Sequence, residues 1–535
     1  MYCKTPRHIV RLCCLMLFTV FLNTGHSPLW AQQAQERVYA DEEENNDCLL
    51  CLTIDVSNEG NAVDGNKDTY ATMSISVIGE VWQKLYFTTE LPDPNDPVHV
   101  KIGTNTGLLE LLDNLTIQLF YDDDEAGDPI TLGSLIGLLD GEDQVDIVVP
   151  APGVPYNSVR IRSAGIALGG GVNIYGAYFN KPAVGVTCNT ASDILWGSEA
   201  DLAGGVNAVD NPQNAVDGDN TSFAELHANV SIAGKTHLTA LYPATSIPGD
   251  SVRIVFQNPG GLLDLSLLSS SLEIMAYMDN EDDESDPLDL DANVLSLRLL
   301  PGEDNIQVIT YPVDISFNRI QVSIGDGLAT ALSALRVYEI ETVPKAPEIT
   351  APDIQDGEIY DICYGNDITL NVANPVSGSE YRWYAAVAGG TQPKTGTSYT
   401  VENLDETRIV YLAEVREGCT EESARTSVTV HVLPPVPPPG ITAAGELYLC
   451  YGDNITLSAA DPVSGSEYRW YGTATGGTPL DTGVSYDITD LEETTTYYLA
   501  EVREGCTEES ARASVTVHVL PDFGNPAISI LNEND

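Results

Sequence analysis

The chain is long and strongly acidic: 535 residues carry 24 lysines and arginines against 79 aspartates and glutamates, a formal net charge of −55. This length exceeds what one hydrophobic core supports and predicts several domains. So negative a chain excludes nucleic acid as a partner, because phosphate binding needs a basic surface. Hydrophobic residues make up 43% of the sequence, which favours folded domains over disorder.

The first 31 residues have the pattern of a secretory signal peptide. Lys4, Arg7 and Arg11 lie before and at the start of an apolar run over residues 12–22, and Ala31 is a small residue at the expected cleavage point. The apolar run is shorter than the roughly 20 residues that cross a bilayer, and no later stretch qualifies as a transmembrane helix. The mature chain is therefore expected to be secreted or held at the cell surface.

An acidic polar segment, residues 32–47, follows the signal and predicts a solvated linker. Cys48 and Cys51 come next, in the sequence CLLC. A local disulfide is the preferred interpretation of this pair, with a metal site or a redox pair as the alternatives; no second cysteine pair or neighbouring histidine supports a metal. Cys188 is the odd cysteine, either free or competing for one member of that pair.

Two large domains of the same type are predicted from a long internal repeat. Residues 61–70, NAVDGNKDTY, return as residues 214–223, NAVDGDNTSF, at an offset of 214 − 61 = 153. Matching stretches downstream keep the same order, so whole domains are duplicated. Short alternating or β-branched runs, such as residues 115–120, are separated by Gly, Pro, Asn and Asp, as is typical of strands and turns. Residues 48–182 and 191–343 are each predicted to form a jelly-roll-like β-sandwich of roughly eight strands.

The duplicated loop is rich in side-chain oxygens around a glycine. Ca²⁺ prefers about six to eight oxygen ligands, but Asp-Gly pairs also simply form turns, so both interpretations stay open. The spacing is not that of an EF-hand, which needs a glutamate at its twelfth position. The candidate calcium ligands are Asp64, Asn66 and Asp68 in the first copy and Asp217, Asp219 and Asn220 in the second.

A second duplication begins near residue 344, at an offset of 450 − 363 = 87 residues. Residues 344–434 and 435–521 are nearly identical over long stretches, which predicts two copies of one module. The intervals 419 − 363 and 506 − 450 both equal 56, which indicates one disulfide in each module, joining Cys363 to Cys419 and Cys450 to Cys506. The spacer PPVPPPG is predicted to be stiff and to hold the modules apart, and residues 522–535 are predicted to be a short tail.

Each module has a first cysteine, then Trp383 or Trp470 20 residues further on, then the second cysteine. This order resembles the immunoglobulin-like sandwich with a core tryptophan on its third strand. The pattern of CxG, TL, YRWY, GG, GC and a closing V.V strand resembles the Ig-like modules repeated in secreted and surface proteins of Bacteroidetes. The resemblance implies two Ig-like β-sandwiches over residues 344–521.

The duplicated loop carries a second resemblance. The pattern AxDGxxxT followed by an aromatic residue, with a closing strand such as ALSALRVYEI, resembles the discoidin type of galactose-binding jelly roll. In that family the loop holds a structural calcium ion, partly through main-chain carbonyls. The resemblance would place Ca²⁺ at Asp64, Asn66 and Thr69 in the first copy and at Asp217, Asp219 and Thr221 in the second.

No assembled catalytic motif is visible, because the sequence lacks GxSxG, HExxH and a phosphate-binding glycine loop. The predicted fold is all-β, with two duplicated jelly-roll-like β-sandwiches followed by two Ig-like β-sandwiches. The predicted function is that of a secreted or cell-surface, non-catalytic protein for adhesion or ligand binding, with unidentified surface glycans or proteins as partners. The alternative is a carbohydrate-binding accessory protein that uses the two N-terminal repeats.

Overall fold

The computed structural model describes most of the chain. The predicted signal peptide, Cys48, Cys51 and the predicted tail apart from Gly524 lie outside the described residues. The described residues are 33–46, 54–75, 79–104, 115–131, 144–165, 171–198, 209–227, 235–261, 272–278, 287–288, 296–299, 305–325, 334–351, 359–391, 394–443, 445, 447–521 and 524.

The first large domain is a sandwich of two antiparallel sheets. One sheet has the strand order β3-β4-β11-β6-β9, with β1 also paired to β11, and the other has the order β2-β5-β10-β7-β8. A short 3-10 helix, Glu59–Val63, precedes the duplicated loop. The strands are β1 Gln35–Tyr39, β2 Glu42–Asn45, β3 Ile54–Ser57, β4 Ala71–Ile75, β5 Gly79–Tyr86, β6 Val98–Thr104, β7 Leu115–Tyr121, β8 Asp124–Thr131, β9 Gln144–Val149, β10 Ser158–Gly165 and β11 Gly171–Pro182.

The second large domain repeats this topology. Its sheets have the orders β12-β15-β20-β17 and β13-β14-β21-β16-β19-β18, so β20 corresponds to β10 and β21 to β11. The duplication is thus confirmed, although the two domains have eleven and ten described strands instead of roughly eight. The strands are β12 Asp193–Ser198, β13 Val209–Asp210, β14 Ala224–His227, β15 Lys235–Leu241, β16 Ser251–Gln257, β17 Leu272–Tyr277, β18 Ser296–Leu299, β19 Gln307–Pro312, β20 Arg319–Gly325 and β21 Ala334–Val343.

The acidic segment before the first repeat is part of the sandwich. In β1, Val38 pairs with Phe179 of β11, and β2 pairs with β5 at the edge of the other sheet. Ala34 and Ala40 are buried. The prediction of a solvated linker is therefore wrong for residues 33–46. The acidic strand β2 is itself an edge strand, where charged side chains discourage pairing with another sheet.

The two C-terminal modules share one Ig-like topology. In the first, the sheet β22-β24-β27 accompanies the sheet β23-β29-β28-β25-β26, and the second repeats this as β30-β32-β35 and β31-β37-β36-β33-β34. The strands of module 1 are β22 Glu348–Thr350, β23 Ile359–Ile362, β24 Ile368–Ala373, β25 Glu380–Tyr384, β26 Lys394–Thr395, β27 Ser398–Val401, β28 Arg408–Val415 and β29 Thr426–Val432. Those of module 2 are β30 Gly440–Ala443, β31 Tyr448–Leu449, β32 Asp453–Ala460, β33 Glu467–Tyr471, β34 Asp481–Thr482, β35 Ser485–Leu491, β36 Thr495–Val502 and β37 Ala513–Val519.

Each of the four domains has a hydrophobic core of its own. Trp383 and Trp470 are fully buried in the Ig-like cores, as predicted. Their indole N–H groups donate to the carbonyls of Gly396 at 2.9 Å and Gly483 at 3.1 Å, so burial leaves no indole donor unsatisfied. Within the described part of the chain, no helix has both the length and the apolar character needed to cross a membrane.

Candidate functional site

The first copy of the duplicated loop is a closed turn. The Asp64 carboxylate accepts hydrogen bonds from the Asn66 backbone N–H at 2.8 Å and from the Thr69 hydroxyl, which lies 2.8 Å from Oδ2. Asn66 Oδ1 accepts from the Asp68 N–H at 3.1 Å, and Gly65 has a φ of 73° that favours glycine. The side chains of Asp64, Asn66 and Thr69, all predicted as calcium ligands, therefore hydrogen-bond within the loop itself.

The second copy closes in the same way, but the hydroxyl that closes it belongs to a serine and not to a threonine. Asp217 accepts from the Asp219 N–H at 2.8 Å and from the Ser222 hydroxyl at 2.6 Å. Thr221 instead donates its hydroxyl to Asp219 at 2.7 Å. Ser222, and not the predicted Thr221, thus corresponds to Thr69. Among the described residues, which include Asn220 and both loops, no group of three or more His, Cys, Asp or Glu side chains is arranged to hold a metal ion.

One buried carboxylate distinguishes the second loop from the first. Glu339 of β21 is fully buried, and its Oε2 accepts from the Gly218 N–H at 2.9 Å while its Oε1 has no partner. Burial, reinforced by the charge of Glu341, raises the pKa of Glu339 to about 8. Glu339 lies at a β-bulge in the pairing of β21 with β16. At the corresponding bulge of β11 in the first domain stands Gly176, where an added Cβ would lie 3.2 Å from the Ala62 carbonyl oxygen. Sequence reasoning missed Glu339 because it is distant from the loop along the chain.

Ion pairs fill the contact between the two large domains. Asp193, at the start of β12, lies 3.0 Å from Lys101 Nζ and 2.9 Å from Arg37 Nη1 of the first domain. Lys67, beside the first loop, donates to the Ser192 carbonyl at 2.5 Å. Burial raises the pKa of Asp193, but the positive charges of Lys101, Arg37 and Lys67 outweigh it and lower that pKa to about 2. The carboxylate therefore stays ionised at neutral pH and joins the domains.

A second buried carboxylate lies at the same contact. Asp146 Oδ2 accepts from the Tyr178 hydroxyl at 2.8 Å and lies 3.1 Å from His99 Nδ1 and 3.5 Å from Arg319 Nη2 of the second domain. Burial raises the pKa of Asp146, but His99 and the two arginines nearby bring it well below its usual value. A cavity of about 40 Å³ adjoins these side chains. It is large enough for water but far too small for an organic ligand.

A turn of Ig-like module 1 is inserted at the junction of the two large domains. We call residues 416–421, and the equivalent 503–508 of module 2, the cysteine turn; both read REGCTE. Cys419 forms a disulfide with Cys188, which follows the first large domain. Backbone hydrogen bonds flank the bridge, with the Val186 N–H donating to the Gly418 carbonyl at 3.0 Å and the Thr420 N–H donating to the Val186 carbonyl at 3.0 Å.

Close packing and a buried ion pair complete this junction. Gly418 has a φ of 80°, and an added Cβ would meet the Ala183 carbonyl oxygen at 2.6 Å and the Ala34 Cβ at 2.8 Å. Arg416 forms a bidentate pair with Asp250 of the second large domain, with both nitrogen–oxygen distances at 2.5 Å. The Asp250 side chain is 1% exposed. Module 1 is thus joined to both large domains by covalent, ionic and steric contacts.

The cysteine turn of module 2 makes the next junction. Cys506 forms a disulfide with Cys363 of module 1, and Arg503 Nη1 donates to the Pro434 carbonyl at 3.0 Å. Module 1 and module 2 are therefore covalently joined, and the prediction that the proline spacer holds them apart is wrong. Cys450, equivalent to Cys363, is exposed and has no disulfide partner.

The predicted pairing of cysteines within each module is also wrong, for a reason that the strand register makes plain. Cys363 follows β23, whose end pairs with Val432 at the end of β29. Cys419 follows β28, which is antiparallel to β29 and ends beside the start of that strand. The two cysteines therefore lie at opposite poles of module 1, and each is placed to reach a neighbouring domain. Equal spacing in sequence reflected the duplication and not the pairing.

The fold and its junctions define a class: a multidomain all-β protein in which Ig-like modules follow two larger β-sandwiches. Residues 346–434 and 437–521 match the family model described as Ig-like domain, CHU_C associated, which confirms the Ig-like prediction for the C-terminal third. The discoidin-type resemblance of the large domains stays a prediction. No curated protein matches the chain.

Three solved structures are similar to part of the chain. The crystal structure of murine CEACAM1b has 16% identity over 32% of this chain and 100% of that chain, with a TM-score of 0.18. The fibronectin(III)-like modules of Clostridium thermocellum CbhA have 17% identity over 32% of this chain and 94% of that chain, with a TM-score of 0.20. The human OSCAR ligand-binding domain has 14% identity over 32% and 98%, with a TM-score of 0.17. At these scores none of them informs function.

Proposed function

We propose that this protein is a secreted or cell-surface adhesion or ligand-binding protein without catalytic activity. Its domains are cross-linked in series by disulfides. The observation that carries the proposal is the repeated cysteine turn, which supplies Cys419 and Cys506 to disulfides with the preceding domains. Disulfides persist outside the reducing cytosol. An adhesin benefits from such bridges because they keep domains together when a bound surface pulls on the chain.

The chemistry of the junctions supports a structural role for the charged groups there. Asp193 and Asp250 are buried and each is held by an arginine, with Lys101 also on Asp193. Paired in this way, neither Asp193 nor Asp250 is free to act as a general base. The cavities beside the junctions have volumes of about 40 and 20 Å³, too small for a substrate. The charged groups are therefore assigned to joining domains.

We further propose that Ca²⁺ binds the second large domain and not the first. The buried, unpartnered Oε1 of Glu339 beside the loop of Asp217 is the kind of oxygen that the ion prefers. The first domain has Gly176 there, which supplies no carboxylate, and an added Cβ would lie 3.2 Å from the Ala62 carbonyl oxygen. Glu339, Asp217 and loop carbonyls would hold the ion, which would neutralise a carboxylate that burial otherwise keeps protonated.

Binding and shear assays test the main proposal. The oxidised full chain is displayed on beads and screened against arrays of matrix proteins and of glycans, with and without a calcium chelator, and then against a panel of hydrolase substrates. If the protein is an adhesin, its beads should stay bound to some of the arrayed ligands under flow. Beads with the double variant Cys188→Ser/Cys363→Ser, which lacks both interdomain disulfides, should bind equally at rest but detach at lower shear. Glycan hits alone would favour the carbohydrate-binding alternative, and substrate turnover would refute the absence of catalysis.

A further inference from the structure

The two cysteine turns have one sequence but different surroundings. In module 1, an added Cβ at Gly418 would meet the Ala183 carbonyl oxygen at 2.6 Å, whereas an added Cβ at Gly505 of module 2 would have no atom within 4 Å. Nothing in the two identical turns themselves explains this difference. It therefore comes from the domains against which the turns lie.

A neighbouring turn shows the same contrast. Residues 376–379 of module 1 lie against the cysteine turn, since an added Cβ at Gly378 would meet the Glu417 carboxylate. Val376 in this turn is 9% exposed, but Val463, its equivalent 87 residues later, is 57% exposed. Because the two modules share one topology, the pole of module 1 is covered by its neighbours and the same pole of module 2 is open.

The first junction has many contacts besides its disulfide. The Gly185 N–H donates to the Gly418 carbonyl at 2.7 Å, and the Cys188 N–H donates to Glu421 Oε2 at 3.1 Å. These bonds add to the backbone bonds of Val186 and to the buried ion pair of Arg416 described above. Breaking the sulfur–sulfur bond alone would therefore leave the two cysteines of this junction side by side.

The second junction depends far more on its disulfide. In the described part of module 2, every salt bridge joins two residues of that module, so none reaches module 1. The contacts across the junction include the hydrogen bond from Arg503 to the Pro434 carbonyl and a 3.7 Å contact from the Cys363 sulfur to the Gly505 carbonyl. Cys363 and Cys506 are half-buried, whereas Cys188 of the first junction is only 7% exposed.

We propose that the disulfide between Cys363 and Cys506 is a redox switch, which small thiols open while the disulfide between Cys188 and Cys419 stays closed. A thiolate such as that of glutathione attacks one sulfur of the bridge and forms a mixed disulfide, and a second glutathione thiolate resolves it. The bridge gains two electrons and two protons to become two cysteine thiols, and the two glutathiones leave as oxidised glutathione. Module 2 then pivots on the spacer PPVPPPG, while the large domains and module 1 stay together.

The selectivity follows from effective concentration. Two thiols re-form their bridge more readily when other contacts keep them adjacent, and a tether alone gives an effective concentration of only about millimolar or less. The first junction keeps its thiols adjacent through the Arg416 ion pair and the backbone bonds. After reduction of the second junction, module 2 is held chiefly by the spacer, so its bridge opens under milder conditions.

A thiol titration of the oxidised full chain tests the proposal. Cys450, which is exposed and unpaired, is first blocked with N-ethylmaleimide. The protein is then equilibrated with rising ratios of reduced to oxidised glutathione and quenched in acid. The four cysteines of the two bridges are alkylated and quantified by mass spectrometry. Small-angle X-ray scattering on the same samples measures the radius of gyration.

Cys363 and Cys506 should become free at a value of [GSH]²/[GSSG] at least about tenfold lower than that for Cys188 and Cys419, and the radius of gyration should rise at that point. Cys363→Ser should have the larger radius without reductant. The matched variant Cys188→Ser, which removes the other bridge, should keep the radius of the oxidised protein.

A weakened first junction provides the second test. Asp250→Ala removes the partner of Arg416 and should bring the two midpoints closer together, in a protein whose β-sheet signal in circular dichroism is unchanged. Equal midpoints in the unmodified chain would overturn the proposal, as would earlier opening of the bridge between Cys188 and Cys419. An unchanged radius for Cys363→Ser would also overturn it, because module 2 would then stay in place without its disulfide.

Discussion

The disulfide pairing fixes how far the chain extends when it is pulled from both ends. From residue 188 to residue 506 there are 506 − 188 = 318 residue steps. With both disulfides intact, the shortest covalent path crosses from Cys188 to Cys419, runs through 419 − 363 = 56 steps to Cys363, and crosses to Cys506. The bridges therefore keep 318 − 56 = 262 steps out of the extended path, or about 90 nm of contour at roughly 3.5 Å per residue.

Single-molecule force spectroscopy, with handles on both termini, measures this length directly. Reduction of the fully unfolded chain should lengthen its contour by about 90 nm. The variant Cys188→Ser keeps only the bridge that spans 143 residues and should gain about 50 nm, whereas Cys363→Ser keeps the bridge that spans 231 residues and should gain about 80 nm. Bridges within each module would keep out only twice 56 steps, so a gain near 40 nm in the unmodified chain would refute the pairing described above.

The remaining predictions concern the junctions and the second loop. Gly418→Ala should destabilise the protein by about 2 to 4 kcal/mol, because alanine is strained at this positive φ and its Cβ would clash with the backbone. Gly505→Ala should cost only about 1 kcal/mol, because an added Cβ there has no neighbouring atom within contact distance. Equal melting temperatures of the two variants would contradict this prediction. Asp250→Ala should cost about 3 to 5 kcal/mol, because it leaves a buried guanidinium unpaired, as denaturant titration would show. Asp193 has a folded pKa of about 2, below its unfolded value. Its contribution of about 2 kcal/mol is therefore present above pH 4 and is lost as the pH falls toward 2. Asp193→Asn should flatten that part of the stability profile. Glu339 has a folded pKa of about 8, above its unfolded value, so between pH 4.5 and 8 the folded state keeps a proton that the unfolded state has lost. The free energy of unfolding should therefore decline over this pH range, by as much as about 5 kcal/mol. Glu339→Gln should remove both this decline and any rise in melting temperature with Ca²⁺, and a calcium effect that survives the substitution would contradict the assignment.

Much of the fold followed from sequence because duplication and periodicity are local signals. The offset between the two NAVDG loops identified a pair of like domains, and the tryptophan spacing located the Ig-like cores around Trp383 and Trp470. Strands β1 and β2 were missed, because their partners in β11 and β5 lie far along the chain and because the acidic, polar stretch that contains them has the composition of a solvated segment.

The junctions could not be predicted, because they depend on which pole of a module faces which neighbour. The sequence suggests that the two cysteines of one module form a disulfide, whereas the strand register places them at opposite ends of a sheet. The buried partnership of Arg416 with Asp250 likewise joins residues 166 apart. A turn was one of the two interpretations of the duplicated loop, but the hydrogen bonds that close it and the nearby Glu339 could be identified only in the folded arrangement.

The crossed disulfides also determine what a protease can achieve. The bridges divide the region between residues 188 and 506 into three chain segments, separated at residues 363 and 419. A cut in any one of these segments, or in any two, leaves every fragment covalently attached to the others through the two bridges. Between residues 188 and 506, only cleavage of all three segments would separate the N-terminal from the C-terminal part, so the protein stays in one covalent piece after one nick in each of two segments.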